Sequence, residues 1–282
     1  MVQPTYSEAL KRAFLLLKKQ QLDPEAAQYV LLERQHWRQT DLRFHEHERL
    51  PVSVWQQFQA DLQRLLTGIP PQYLLGYAYF DQLKLIVSPA TLIPRFETEE
   101  LVAWVDQSLL QQGSIQVLDL GTGSGAIALA LKQRQKQRKI WASDLSTAAL
   151  KIAQKNAQKL DLPVHLRQSD LFQALPKDLR FDAIVCNPPY ISRDEMAVMD
   201  RSVRQFEPPS ALFAADEGLY YYRKIMATVA EHLQPQGQLF FEFGYRQKTR
   251  IETLAQKLLP QAKLTIKNDL AGWPRMARLQ FS

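Results

Sequence analysis

The segment Val117-Leu118-Asp119-Leu120-Gly121-Thr122-Gly123-Ser124-Gly125-Ala126 constrains the fold more than any other. An apolar strand pattern runs straight into three glycines at alternate positions and then into a helical pattern. Glycines in such a turn let a ligand approach the backbone closely. The next strand pattern ends at Asp144, where a carboxylate can accept hydrogen bonds from both ribose hydroxyls of a nucleoside. Gly121, Thr122, Gly123, Ser124, Gly125 and Asp144 are therefore candidates to bind a nucleoside cofactor. Their GxGxG spacing differs from the dinucleotide GxGxxG, which weakens the case for NAD, yet the loop alone does not separate NAD from S-adenosylmethionine. Asp170, in Gln168-Ser169-Asp170-Leu171, follows the third strand on the same sheet edge. Its side chain can reach an adenine amino group, with Leu171 packing against the ring.

Around this loop, short β-type runs alternate with helical segments from Glu97 onward, the signature of a mostly parallel sheet covered on both faces. The strand candidates are 116–120, 140–143, 164–167, 182–186, 238–243, 263–266 and 275–280. Only a short loop separates the last two, too short for a parallel crossover, so the C-terminal pair is expected to be antiparallel. The reading is therefore an α/β chain with a mostly parallel seven-stranded sheet. Ahead of it, residues 6 to about 67 space apolar positions three or four apart, as in Leu10, Phe14 and Leu17, and form a small N-terminal helical bundle. Asp23 followed by Pro24 reads as an N-cap and first helical residue. The expected organisation is a helical domain over 1–70, a hairpin linker over 71–96 and a catalytic domain over 97–282.

Composition narrows the class. The 282 residues are 46% hydrophobic and 23% charged, enough apolar surface for packed cores. Thirty-five basic and 29 acidic side chains give a net charge of +6, too modest to specify a nucleic-acid partner. The apolar runs fall well short of the ~18 residues that span a bilayer. One cysteine, Cys186, allows no internal disulfide and sits in a strand as a small buried hydrophobe. With no signal-peptide pattern, a cytoplasmic location is expected. His45 and His47 resemble a metal pair, but sequence places no third ligand, so no metal is expected.

The chemistry is written most clearly in Phe181-Asp182-Ala183-Ile184-Val185-Cys186-Asn187-Pro188-Pro189-Tyr190, an apolar strand that runs into Asn-Pro-Pro-Tyr. Two prolines stiffen the turn and remove two donors, leaving an acceptor-rich loop. The Asn187 side-chain oxygen and the Pro188 carbonyl can accept from a planar NH2 group, with Tyr190 stacked on its plane. Accepting both hydrogens fixes a poorly nucleophilic nitrogen and offsets the positive charge that grows as it attacks a methyl sulfonium. Asn187, Pro188 and Tyr190 are the expected catalytic residues, and Asn187, Pro188, Pro189 and Tyr190 the expected substrate clamp. Together with the glycine-rich loop, this motif points to an amino-group methyltransferase.

The chain resembles the PrmC/HemK family of peptide chain release factor glutamine N5-methyltransferases over nearly its whole length. Besides Asn187 to Tyr190, the resemblance is carried by Pro71-Gln72-Tyr73 with Gly76 and Phe80, and by Ile93-Pro94-Arg95-Phe96-Glu97-Thr98-Glu99. It continues in Glu207-Pro208 with Ala211-Leu212, Asp216-Glu217-Gly218-Leu219, Tyr222-Arg223 and Glu242-Phe243-Gly244. The resemblance implies a Rossmann-like class I methyltransferase fold and S-adenosyl-L-methionine bound around Gly121 to Gly125, Asp144, Leu171 and Asn187. It implies as substrate the glutamine of the Gly-Gly-Gln loop of class 1 release factors. Phe96 stands where the family usually has proline, and Leu171 where an aromatic residue is common. The rival reading is a nucleic-acid amino methyltransferase acting on adenine N6 or guanine N2, where the same loop would hold a flipped base. Charges in residues 1–85 nearly cancel, which suits a protein partner better than phosphates, and no stable nucleic-acid binding is expected. A nucleotide-binding module without catalysis would not need Asn187 and Tyr190.

Overall fold

The computed structural model describes residues 2–109 and 115–281. They form two compact units, Met1–Gly76 with Met199–Phe206, and Tyr77–Val198 with Glu207–Ser282.

The first unit is helical. Its opening helix, Tyr6–Lys19, starts at a capping box in which the Thr5 hydroxyl accepts from Glu8 N (3.2 Å) and the Glu8 carboxylate accepts from Thr5 N (2.9 Å). Tyr6, Ala9, Ala13 and Leu17, spaced three or four apart, are its buried face. They pack with Val30 and Leu31 of helix Ala26–Gln35 and with Phe58 and Leu65 of helix Val52–Leu65. Buried Asp61 is satisfied by a two-pronged contact from Arg34, each bond 3.2 Å, and by Gln57 (3.1 Å). The second helix begins two residues later than Asp23-Pro24 suggested, because the Asp23 carboxylate accepts from Glu25 N (3.0 Å) in a turn that precedes the helix. His45 and His47 pair with Glu48 (2.9 Å) and Glu46 (3.4 Å).

The hairpin segment expected over 71–96 is divided. Pro70-Pro71 reads as a break, yet Pro71 at the first helical position starts a short helix, Pro71–Leu75, which Gly76 ends in a left-handed conformation. The hairpin itself, β1 (Tyr77–Phe80) and β2 (Leu83–Ile86), belongs to the second unit. Asp81 and Gln82 both take positive φ, as a two-residue hairpin turn requires.

The second unit is built on a seven-stranded sheet. Its strands are β3 (Gln116–Leu120), β4 (Lys139–Asp144), β5 (His165–Gln168), β6 (Phe181–Cys186), β7 (Leu233–Glu242), β8 (Lys263–Asn268) and β9 (Pro274–Gln280), in the order β5-β4-β3-β6-β7-β9-β8. β3 to β7 pair in parallel, whereas β9 runs antiparallel to both β7 and β8. Alternate side chains feed opposite cores. Val117, Ala183, Val185 and Phe240 face one, with Leu101, Val105 and Ile127, while Leu118, Leu120, Ile184, Cys186 and Phe241 face the other, with Tyr222, Ile225 and Ile251. β3 has β4 on one side and β6 on the other, so the strand order reverses there. A crevice therefore opens beyond its carboxyl end, where open α/β sheets take their ligands. Among the described residues, no helix is long and apolar enough to cross a membrane.

Candidate functional site

The glycine-rich turn leaves β3 at that crevice. Gly121 and Gly123 have φ of +73° and +56°, which disfavours side chains, and a Cβ built at either would meet nothing within 4 Å. The turn is therefore an open cradle whose backbone a ligand can approach. Gly125 serves a different end: a Cβ there would press on Leu129 (3.1 Å) and Ala153 (3.3 Å), so it permits close helix packing.

Two carboxylates and one amide hold the cradle. Asp119, fully buried in β3, accepts from the Thr122 hydroxyl (2.6 Å) and from Ala128 N (3.1 Å). Burial pushes its carboxyl up to about 7, with nearby Asp144 adding to the rise. Asp144 accepts from Gly123 N (2.9 Å) through one oxygen and from Ser146 N (2.8 Å) through the other, and burial raises its pKa as well. A carboxylate has about four acceptor positions, so acceptor capacity is left for a ligand's hydroxyls. Buried Asn156 accepts from Ile86 N (2.7 Å) and donates to the carbonyls of Ile86 (3.0 Å) and Ser124 (2.8 Å), which ties the hairpin to the cradle.

One cavity is lined by Gly121, Thr122, Gly123, Ser124, Asp144, Asp170, Leu171, Asn187, Pro188 and Pro189. The structure thus brings together most of the residues singled out in sequence. Gly125 and Tyr190 are not among the lining residues. Leu171 takes φ of +49°, and Tyr221 lines the same cavity beside it, an aromatic surface that sequence reading did not single out. Tyr221 follows the fold alone: the helix Tyr220–Thr228 that carries it packs on the face of the sheet that Leu171 also adjoins.

At the carboxyl end of β6, Asn187 donates from Nδ2 to the Thr98 hydroxyl (3.1 Å). Thr98, on helix Phe96–Ser108, donates in turn to Glu242 Oε2 (2.6 Å), and Tyr190 donates to Glu242 Oε1 (3.2 Å). Glu242, at the end of β7, is buried, which raises its pKa; the hydrogen bond from Thr98 and the positive charge of Arg275 pull the other way. The Tyr190 phenol is pushed up by burial and by Glu242. Its carbonyl accepts from Gln247 Nε2 (2.9 Å), and Gly218 lies so close that an added Cβ would stand 2.1 Å from that oxygen. Cys186 is buried, its thiol pushed up by burial. Arg95 pairs with buried Glu207, which also accepts from Ile93 N (3.2 Å). Short motifs scattered through the sequence thus meet: Arg95 with Glu207, Thr98 with Glu242, and Asn187 with Thr98. The roles of Thr98, Glu242 and Asp119 were not legible beforehand, although the first two lie in quoted motifs. Among the described residues, no group of three or more His, Cys, Asp or Glu side chains could hold a metal ion.

Residues 101–206 match the "Methyltransferase small domain" family, and residues 8–76 match the "PrmC N-terminal domain" family. The release factor glutamine methyltransferase of Enterococcus faecalis is 38% identical over 96% of this chain and 98% of its own length. The protein of the same name from Streptococcus pneumoniae is 36% identical over 92% of each chain. The chain belongs to the release factor glutamine methyltransferase family. The solved hMettl16 catalytic domain, bound to an RNA hairpin, is similar in fold, with a TM-score of 0.57 at 15% identity over 71% of this chain and 75% of that one.

Proposed function

We infer that this family member transfers a methyl group from S-adenosylmethionine to the side-chain amide nitrogen of a glutamine in class 1 release factors, at the Gly-Gly-Gln loop. The observation that supports this best is the Asn187 amide, whose nitrogen is engaged by Thr98 and whose oxygen is thereby the atom offered to a ligand in the cavity. A primary carboxamide carries two hydrogens, and Asn187 Oδ1 and the Pro188 carbonyl supply two acceptors for them.

The residues around the cradle fit the cofactor, since the backbone at Gly121 and Gly123 faces open space and Asp144 has acceptor positions to spare for the ribose. When bound, S-adenosylmethionine supplies a methyl group on positively charged sulfur. Asp170, Leu171 and Tyr221, which line the same cavity, would surround its adenine. Asn187 and Pro188 would hold the substrate nitrogen and stabilise the positive charge that develops on it. No base is needed before attack, because the nitrogen turns acidic only once methylated. Tyr190 supports the clamp through Glu242 instead of stacking on the substrate, in keeping with its place outside the lining.

The helical unit performs no chemical step in this reading and serves to grip the release factor away from the methylated loop. Binding energy from remote contacts then orients the reacting amide. Replacement of Asn187 by alanine tests the reading. Turnover is expected to fall by roughly a hundredfold or more while cofactor affinity falls much less, and near-normal turnover would refute the assignment.

A further inference from the structure

Glu242 reaches the clamp twice without lining the cavity itself. The Thr98 hydroxyl donates to Glu242 Oε2, 2.6 Å away, and with Tyr190 donating to Oε1 the carboxylate acts as the acceptor at both oxygens. A hydroxyl has one hydrogen. With that hydrogen spent on Glu242, Thr98 can offer Asn187 only its lone pairs, so the Asn187 amide must turn its NH2 toward Thr98 and its oxygen away. The opposite flip would set a lone pair of Asn187 against a lone pair of Thr98. It would also present two donors to a substrate NH2 that itself only donates. Tyr190 is held by the second oxygen of the same carboxylate, and the Tyr222 hydroxyl donates to the Glu242 carbonyl (2.8 Å), which fixes the strand end that bears it.

We propose that Thr98 and Glu242 form an orientation lock, a hydrogen-bond chain from a buried carboxylate through one hydroxyl that fixes the acceptor face of Asn187 toward the substrate amide. Both are positioning residues. The inference rests on the amide-clamp reading above, and it explains why a threonine on helix Phe96–Ser108 and a glutamate at the end of β7 accompany the Asn-Pro-Pro-Tyr turn in one chain.

The lock depends on the hydroxyl and not on the bulk of the side chain, which gives its test. Thr98→Val keeps the shape and removes the hydroxyl. It is expected to lower kcat about 10- to 100-fold, the range seen when an outer-shell partner is lost, with KM for the release factor and Kd for S-adenosylmethionine within about threefold of wild type. Thr98→Ser keeps the hydroxyl and is expected to restore most of kcat. Wild-type kcat in Thr98→Val, or equal loss in the serine and valine variants, would overturn the proposal. Should Thr98→Val fail to fold, Glu242→Met decides: it keeps the length of the side chain and removes both acceptor oxygens, so the Thr98 hydroxyl loses the carboxylate it donates to. kcat should then fall at least about tenfold, and unchanged kcat would refute the lock. Asn187→Ala, assayed in parallel, separates the two ideas. If it stays active, the clamp reading fails; if it is inactive while Thr98→Val is normal, only the lock fails.

Discussion

Replacing Asp144 by alanine removes one carboxylate with two distinct tasks. In the protein alone, it accepts from Gly123 N and Ser146 N, so the cradle and the start of helix Thr147–Leu160 lose their shared fastening. Those bonds exist with and without ligand and largely cancel in the binding equilibrium. What does not cancel is the pair of hydrogen bonds from ribose hydroxyls to the remaining acceptor positions. A hydrogen bond to a charged group contributes about 1.5–3 kcal/mol, and two sharing one carboxylate fall short of twice that, so about 2–4 kcal/mol is a reasonable total. At about 1.4 kcal/mol per factor of ten, Kd for S-adenosylmethionine should weaken roughly 30- to 700-fold by isothermal titration calorimetry. Asp144→Asn should fall between, since its one oxygen can accept while its NH2 opposes a backbone donor. A Kd within twofold of wild type for Asp144→Ala would remove Asp144 from the binding site and refute the reasoning.

Other parts of the structure yield further expectations. Asp119 titrates near 7 when folded but near 3.8 when unfolded, so the folded state holds an extra proton between those values and stability should fall as pH rises from about 4 to 7, by a few kcal/mol. Asp119→Asn should flatten that dependence in melting temperatures measured across the range, and parallel curves for the two proteins would contradict it. Gly218→Ala would drive a methyl to 2.1 Å from the Tyr190 carbonyl at φ of +85°, and should cost about 2 kcal/mol or more in urea unfolding together with most of kcat. Unchanged stability and turnover would show that the Tyr190 turn is not pinned there. Arg95→Met leaves buried Glu207 without its ion-pair partner and should destabilise the protein by roughly 3 kcal/mol, read by the same unfolding assay. No loss would show that the carboxylate finds another partner.

Much of this architecture could be read from local pattern. β3 runs over the expected residues, and β4, β5 and β6 start or end within a residue or so of their expected bounds, because each is a short run closed by a turn, apolar in β3, β4 and β6 although polar and largely exposed in β5. β7 begins at Leu233, five residues before the expected start, since Gln234-Pro235-Gln236-Gly237 reads as a turn. The strand carries that irregularity with Gln236 at positive φ and a register shift opposite Phe181 and Ala183. Pro70-Pro71 has the local pattern of a break, yet Pro71 starts a helix, and Met199–Phe206 belongs with the first unit despite lying far along the chain. The cradle and the Asn187 turn were visible because each is contiguous. The chain of Asn187, Thr98 and Glu242 was not, because its links join residues 89 and 144 positions apart. Asp119 hid in an apolar strand, its importance apparent only once its bonds to Thr122 and Ala128 are seen.

The central claim is that the clamp methylates a glutamine side chain of a folded release factor. Its most direct test incubates the protein and S-adenosylmethionine with full-length release factor, ribosomal RNA and DNA side by side, and locates the methyl by tandem mass spectrometry. One methyl is expected on the side-chain nitrogen of the Gly-Gly-Gln glutamine, with little transfer to a short free peptide. Efficient methylation of RNA or DNA with an unmodified release factor would contradict it.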